Sequence, residues 1–196
     1  TYNSLYKAQR AEVLMFNSGG SGARPTLDGM NATAFPSGVM TMPIEATEHT
    51  GPIIIWKKEL RPDSGGVGKF RGGLGQLITI GAYEGYEFDV SLMFDRVHNP
   101  PLGRKGGLPG GATVVTKDDG SKLRGKGIQF VEEGRVVEMS LPGGAGYGAP
   151  KDRLRALVLR DVILGYISIQ SAKEHFNLTV SEITEIENAI RTGVII

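Results

Sequence analysis

The chain has 196 residues, a formal net charge of +1 and no cysteine. The near balance of 22 basic and 21 acidic residues gives no bulk electrostatic case for nucleic acid or an anionic membrane. Without cysteine, disulfides and thiolate metal sites are excluded, and no apolar run approaches the about 20 residues of a membrane-spanning helix. Glycine contributes 29 residues, well above its usual share of about 7%, which predicts many turns and close backbone approaches.

The N-terminal third combines a glycine-rich segment with scattered prolines. Residues 6–16 fit a short helix that runs into a strand, and the glycine spacing of residues 17–30 fits a backbone anion site. That segment lacks the Gly-Lys-Ser/Thr ending of a P-loop and the spacing of a dinucleotide fingerprint, so both are rejected. Glu45, Glu48 and His49 resemble a metal or acid–base group, but the neighbouring prolines favour a solvated loop.

The middle of the chain is typical of antiparallel strands. Apolar runs at 53–56 and 77–80 predict two strands, and residues 88–94 alternate with period two. An Asp-Asp-Gly turn at 118–120 predicts a hairpin between neighbouring strands, and residues 130–139 predict another. We therefore expect residues 53–140 to be mainly antiparallel β structure.

After Pro150 the apolar spacing changes from period two to that of helices. Three short helices are predicted, with Asp152, Ser168 and Ser181 as N-caps. The basic group at 151–155 and the acidic group at 182–187 are predicted to be solvated helix faces. The expected fold is α+β, with a mainly antiparallel β body with Gly-rich loops in residues 1–150 and a small C-terminal helical tail in residues 151–196 packed on it.

Opposite charges are concentrated in two stiffened turns. Arg61 and Asp63 lie in a glycine-rich connection between predicted strands, and Asp95 and Arg96 end a strand just before two prolines. Paired opposite charges argue against a flexible linker. A structural turn held together by Arg–Asp contacts would also account for these charges, without any ligand. We expect each Asp to hold an Arg and the two pairs to converge, leaving one guanidinium face for an anion or a partner.

Several motifs, taken together and in order, resemble the C-terminal part of the hydantoinase B/oxoprolinase family. They are Gly19-Gly20-Ser21-Gly22-Ala23-Arg24-Pro25 with Asp28, residues 59–66 with 71–75, Asp95-Arg96 before Pro100-Pro101-Leu102-Gly103, and residues 142–148. The resemblance covers roughly residues 17–176. Ala145 interrupts a run that is usually all glycine, and Ala149 stands where Asp is common in the family.

The resemblance implies a two-subunit enzyme that consumes ATP. In the family, a kinase-like A subunit is expected to phosphorylate a cyclic amide or ketone with ATP and Mg, and the B-type subunit completes hydrolysis or carboxylation at a divalent metal. The His- and Asp-rich motifs for that metal belong to the N-terminal part of a B-type subunit and have no counterpart here. The chain is therefore expected to be a cytoplasmic segment of a longer subunit and to bind no metal or cofactor itself. Its expected partners are the remainder of the B subunit, the kinase-like A subunit and a small cyclic amide, without nucleic acid or membrane.

Three functions stay open at this point. They are a segment of an ATP-dependent cyclic-amide hydrolase of the hydantoinase/5-oxoprolinase type, a segment of an acetone/acetophenone-type ketone carboxylase, and a non-catalytic scaffold or interface. The segment alone is expected to be inactive, and no catalytic residue is identified. The residues proposed to contact substrate or a partner are Arg24, Asp28, Arg61, Asp63, Ser64, Arg71, Asp95 and Arg96.

Overall fold

Two four-stranded antiparallel sheets form the body of the protein. The computed structural model describes residues 2–4, 10–34 and 38–193. The strands are β1 (Tyr2–Ser4), β2 (Arg10–Ala11), β3 (Ile53–Leu60), β4 (Gln76–Ala82), β5 (Tyr86–Met93), β6 (Val114–Lys117), β7 (Lys126–Val131) and β8 (Val136–Ser140). Their orders are β2-β1-β5-β7 in one sheet and β3-β4-β8-β6 in the other. The α+β, mainly antiparallel fold expected from the sequence is confirmed.

One apolar core joins the two sheets. The period-two pattern of β5 places Phe88, Val90 and Leu92 on the buried face, as predicted. They belong to the same buried cluster as Ile53 of β3 and Val137 of β8, which come from the other sheet. Burial of both inner faces explains why the pairing register is well specified.

The expected hairpin at residues 130–139 is wrong. β7 pairs with β5 in one sheet, and β8 pairs with β4 and β6 in the other, so the turn after β7 carries the chain between sheets. The turn at residues 118–120 is present, since Lys117 N donates to the Ser121 carbonyl at 2.9 Å. Its second strand is reduced to an isolated bridge between Thr116 and Lys122.

The glycine-rich segments pack on one another through their main chains. Gly73 N donates to the Ser21 carbonyl, Gly144 N to the Gly73 carbonyl and Gly66 N to the Gly144 carbonyl, each at 2.8 Å. A Cβ atom built on Gly144 would overlap the Ser21 carbonyl, and one on Gly73 would overlap the carbonyl of Met30. Glycine is required at these positions because another backbone occupies the space of a side chain.

A short helix replaces the solvated loop expected near residue 45. Helix α1 (Ile44–Glu48) follows Pro43, and Glu48 Oε1 accepts a hydrogen bond from the backbone N–H of Ile55 at 2.8 Å. The carboxylate of Glu48 therefore ties α1 to β3. The helix predicted at residues 6–16 falls partly outside the described residues, and the chain from Glu12 to Phe16 has no regular structure.

Three helices complete the chain. They are α2 (Arg155–Ile163), α3 (Ile169–Phe176) and α4 (Val180–Thr192), and a short 3-10 turn, Pro150–Asp152, precedes them. Their second buried cluster includes Val158, Ile167 and Ile186. Among the described helices, none has the length and apolar character needed to cross a bilayer.

The helix N-caps were predicted with partial success. Ser168 caps α3, because its Oγ accepts from Ser171 N at 3.0 Å. The other two predicted caps, Asp152 and Ser181, are wrong. Helix α2 begins after Leu154, and α4 is capped by Thr179. Thr179 forms a reciprocal capping box with Glu182, in which each side chain accepts a hydrogen bond from the backbone N–H of the other residue. Because two N–H groups are satisfied in this way, Thr179 rather than Ser181 caps α4.

Candidate anion-binding cleft

An open cleft of about 850 Å³ lies where β5 ends and β6 begins. Its size is in the range of small-molecule sites, which is roughly 300–1,000 Å³. The end of β5, the beginning of β6 and the segment that leads into β7 form its walls. The lining residues are Phe94, Asp95, Arg96, Val97, His98, Asn99, Thr113, Val114, Val115, Lys122, Leu123, Arg124, Gly125 and Lys126.

The cleft carries an excess of positive charge. Four lining side chains, Arg96, Lys122, Arg124 and Lys126, are cations, against the single carboxylate of Asp95. Lys126 Nζ lies 3.0 Å from Asp95 Oδ1, but both side chains are mostly exposed, so this pair is weak. In the described part of the chain, no carboxylate lies within ion-pair distance of the Arg96 guanidinium. Such a surface suits a phosphate or carboxylate ligand.

The backbone of Arg96 adopts an unusual conformation at the edge of the cleft. Its φ angle is +62°, in the left-handed region that non-glycine residues rarely occupy. Buried Thr113 contacts both neighbouring carbonyls, since its Oγ1 donates to Asp95 O at 2.6 Å and its N–H donates to Arg96 O at 3.0 Å. Backbone strain of this kind persists only where surrounding contacts enforce it, and it clusters at functional sites.

A second group of charges is buried between the glycine-rich segments and the helices. Arg153 makes a bidentate pair with Asp28, at 2.7 and 2.8 Å, and its Nη2 also lies 2.5 Å from Asp161 Oδ2. Arg71 Nε donates to the same Asp161 oxygen at 3.1 Å. The side chains of Arg153 and Asp161 are fully buried. This cluster, Asp28–Arg71–Arg153–Asp161, joins the helices to the body and is called the buried ion cluster below.

Contacts within the buried ion cluster keep Asp28 and Arg153 in their ionised forms. Burial alone would raise the pKa of Asp28, but the hydrogen bond and charge of Arg153 and the backbone N–H of Arg71 lower that pKa below its usual value. Burial likewise opposes the charge of Arg153, yet Asp28 and Asp161 raise its pKa above the usual value. Each charge in the cluster faces an opposite charge inside the chain, although the buried Nε of Arg153 has no hydrogen-bond partner among the described residues. This internal pairing gives the cluster a structural role.

The expected pair between Arg61 and Asp63 does not form. Arg61 Nη1 donates to the carbonyls of Ala112 and Leu141, at 2.7 and 3.1 Å. The carboxylate of Asp63, a residue with φ of +57°, accepts instead from Ser168 N at 2.9 Å, at the start of α3. The reason is geometric, because the fold brings Asp63 beside the start of α3, where the N–H of the cap residue Ser168 has no partner within the helix.

The remaining sequence candidates separate in space. Ser64 is buried, where its Oγ donates to Arg61 O at 2.6 Å and accepts from Gly75 N at 2.9 Å. Arg24 is exposed in a loop. Of the eight candidates, only Asp95 and Arg96 line the cleft. Residues 111–113 link the two charged turns through hydrogen bonds to Ser64, Arg61, Asp95 and Arg96. The expected Arg61–Asp63 and Asp95–Arg96 pairs are absent among the described residues.

Sequence reasoning missed the residues that complete both sites. Arg153 belongs to the group predicted as a solvated helix face, yet its side chain is fully buried. A signal existed in α2, where Asp161 stands beside buried Val158 and Val162, since a carboxylate on an apolar helix face requires a buried partner. For Lys122 and Arg124 no such signal exists, because only the folded chain brings them beside Arg96.

The divalent metal implied by the family resemblance has no fitting site in this part of the protein. Within the described ranges, no three His, Asp or Glu side chains come close enough together to hold a metal ion.

The chain is similar to a protein-family model, to curated proteins and to a solved structure. A model of the hydantoinase B/oxoprolinase family matches residues 2–150. An uncharacterized protein of Methanocaldococcus jannaschii is 39% identical over 145 residues, covering 72% of this chain and 25% of that protein. The caprolactamase subunit beta of Pseudomonas jessenii is 28% identical over 188 residues, covering 87% of this chain and 31% of that protein. The crystal structure of the ATP-dependent caprolactamase from the same organism superposes with a TM-score of 0.70 at 26% identity, over 90% of this chain and 32% of that one.

The match runs through the segments that build the cleft and the glycine-rich packing. The chain spans about a quarter to a third of the length of these three relatives. Because the family model matches most of its length, the chain belongs to the hydantoinase B/oxoprolinase family.

Proposed function

We propose that this chain is the C-terminal segment of a B-type subunit of an ATP-dependent cyclic-amide hydrolase. A kinase-like A subunit uses ATP and Mg to phosphorylate the cyclic amide, and the B-type subunit completes hydrolysis of that phosphorylated intermediate. The divalent metal belongs to the remainder of the B subunit. Residues 1–150 form the β-rich domain that contains the cleft, and residues 151–196 form a helical tail packed on it, in the cytoplasm.

The cleft binds the anionic group of the intermediate. The observation that carries this role is the cationic lining around Arg96, whose guanidinium has no carboxylate partner among the described residues. A guanidinium pairs with two phosphate oxygens at once, and Lys122 adds a second cation to the lining of the cleft. Ring opening requires water to add to the phosphorylated carbon and the C–N bond to break, with a proton passing to the nitrogen, which leaves an acyl phosphate. A second water hydrolyses this acyl phosphate to a carboxylate and inorganic phosphate. Negative charge grows on the phosphate as it leaves, so fixed cations stabilise this transition state more than the substrate.

The two alternative functions are a non-catalytic scaffold and a ketone carboxylase. The scaffold function gains support from Arg61 and Arg71, which donate to carbonyl and carboxylate oxygens inside the chain. It does not account for the cationic cleft, whose charges face solvent. A ketone carboxylase of the same family would use the same cleft, and the two enzymes are distinguished by whether a cyclic amide or a ketone stimulates ATP hydrolysis in the presence of the A subunit.

Titration with inorganic phosphate tests the cleft directly. We expect saturable binding by the 196-residue chain in low-salt buffer, measured by calorimetry against sodium chloride at the same ionic strength. Loss of one charge-assisted contact is worth about 1.5–3 kcal/mol, so Arg96→Ala should bind phosphate roughly 10–100-fold more weakly.

Arg135→Ala is the matched control for this titration. Arg135 is a half-exposed arginine paired with Asp118, and it does not line the cleft. Its replacement removes the same charge and should leave phosphate affinity within twofold or so of the parent chain. Equal losses in the two variants, or no saturable binding at all, would show that the cleft is not an anion site.

A further inference from the structure

The strained backbone of Arg96 is held by Thr113, which also lines the cleft. Thr113 is 2% exposed and immediately precedes β6, so it is anchored to the sheet. Its hydroxyl and its N–H donate to the consecutive carbonyls of Asp95 and Arg96. Two hydrogen bonds from one residue to these carbonyls fix the orientations of the two peptide units that flank the Arg96 Cα atom.

Without such contacts, Arg96 would leave the left-handed region. An L-residue with a Cβ atom is disfavoured at a φ of +62°, and extended or right-handed conformations become preferred once the restraint is lost. A change of φ at Arg96 redirects its Cα–Cβ bond, and so moves the guanidinium away from its place in the cleft.

Arg61 supports Thr113 in turn. Its Nη1 bridges the carbonyl of Ala112, the residue before Thr113, and the carbonyl of Leu141, just after β8. Gly111 N also donates to Ser64 O at 2.7 Å, which fixes the same segment from the other side. Arg61 therefore stands one residue behind the groups that hold Arg96, and it does not line the cleft.

We infer that Thr113 and Arg61 are positioning residues, which hold Arg96 in the left-handed conformation that presents its guanidinium to an anionic ligand. This inference rests on the proposed function of the cleft. It reassigns Arg61 from a direct anion ligand, as the sequence predicts, to a residue that acts on the ligand only through Thr113 and Arg96.

The test compares Thr113→Val with Thr113→Ser in the 196-residue chain. Valine keeps the shape but loses the hydroxyl donor, so phosphate binding should weaken roughly tenfold, whereas serine keeps the donor and should retain most of the parental affinity. In parallel, the NMR chemical shift of the Arg96 Cβ reports its backbone conformation. We expect that shift to move towards ordinary values in Thr113→Val and to stay unchanged in Thr113→Ser.

Arg61→Lys provides a second variant if Thr113→Val does not fold. Lysine keeps the charge, but its ammonium sits on a shorter stem and lacks the fixed N–H directions with which Arg61 Nη1 donates to two carbonyls, so the Arg96 Cβ shift should move and phosphate affinity should fall. Normal phosphate affinity with an unchanged Arg96 shift in the folded variants would overturn the positioning role while leaving the cleft an anion site. A parent chain that does not bind phosphate would overturn both proposals together.

Discussion

Replacement of Asp161 by Asn is expected to destabilise the protein severely. The Asp161 carboxylate is fully buried and contacts the guanidinium groups of both Arg71 and Arg153. Arg160 Nη2 reaches its other oxygen at 3.2 Å. Asparagine keeps the volume but removes the charge, and its amide group presents donors to neighbours that are themselves only donors.

The magnitude follows from the burial of the partners. Removing one member of a buried ion pair costs about 3–5 kcal/mol because the remaining charge is left uncompensated. In a chain of this length each kcal/mol shifts the melting temperature by about 2–4 °C, so Asp161→Asn should lower it by roughly 6–20 °C. Asp28 still pairs with Arg153 in this variant, which places the expected loss nearer the lower end of that range.

Urea denaturation followed by circular dichroism measures this loss, with Asp118→Asn as the matched control. Asp118 pairs with Arg135 at 3.2 Å, but both side chains are about 40% exposed, so its replacement should cost at most about 1 kcal/mol. A loss for Asp161→Asn that does not exceed the loss for Asp118→Asn would refute the structural role of the buried ion cluster.

Four further outcomes are expected. Arg96→Gly should weaken phosphate binding as much as Arg96→Ala does, yet be about 0.5–1 kcal/mol more stable than Arg96→Ala in chemical denaturation, because glycine accepts a positive φ. Contact with Arg155, and to a lesser extent with Thr179, lowers the pKa of Glu182 from 4.5 to about 2. The ionised Glu182 should therefore stabilise the fold fully above about pH 5, and this contribution should disappear as the pH falls towards 2. Glu182→Gln should flatten that part of a curve of stability against pH. Gly144→Ala should cost at least about 1–3 kcal/mol by overpacking against the Ser21 carbonyl, whereas Gly22→Ala, which meets no atom within 4 Å, should be tolerated in the same unfolding assay. Elemental analysis of the dialysed chain should find no stoichiometric zinc or manganese, since its three histidines are scattered, and one metal per chain would contradict this.

Local patterns predict much of the fold. The alternation of Phe88, Val90 and Leu92 identifies β5 because side chains on successive strand residues point to opposite faces. Ser168 is recognisable as a cap because its hydroxyl satisfies a helix N–H nearby in sequence. The pairing of β7 is not local. Its partner β5 lies far back in the chain, and the apolar pattern of a strand fits any antiparallel neighbour equally well.

The candidate site is less predictable for the same reason. Asp95 and Arg96 are detectable as a charged pair before two prolines, but Lys122 and Thr113 join them only when β5 and β6 come together. The partner of Asp28 is Arg153, 125 residues away, and the sequence around Arg153 is typical of a solvated basic turn. The acidic and basic residues along the chain indicate that ion pairs form. Which residues pair, and which pairs are buried, depends on the whole fold.

The most direct measurement of the proposed role is phosphorus NMR of the complete enzyme, with A and B-type subunits purified together, during turnover of a cyclic amide. Phosphorus NMR follows ATP and the phosphorylated intermediate, and an assay of the newly formed free amine follows the ring-opened product, which carries no phosphorus. With the parent B-type subunit, we expect ATP to be consumed and ring-opened product to accumulate. With Arg96→Ala, ATP consumption by the A subunit should continue while a phosphorylated intermediate builds up and ring-opened product falls at least roughly tenfold. Unchanged product formation by Arg96→Ala, with no accumulated intermediate, would contradict a role for the cleft in completing hydrolysis.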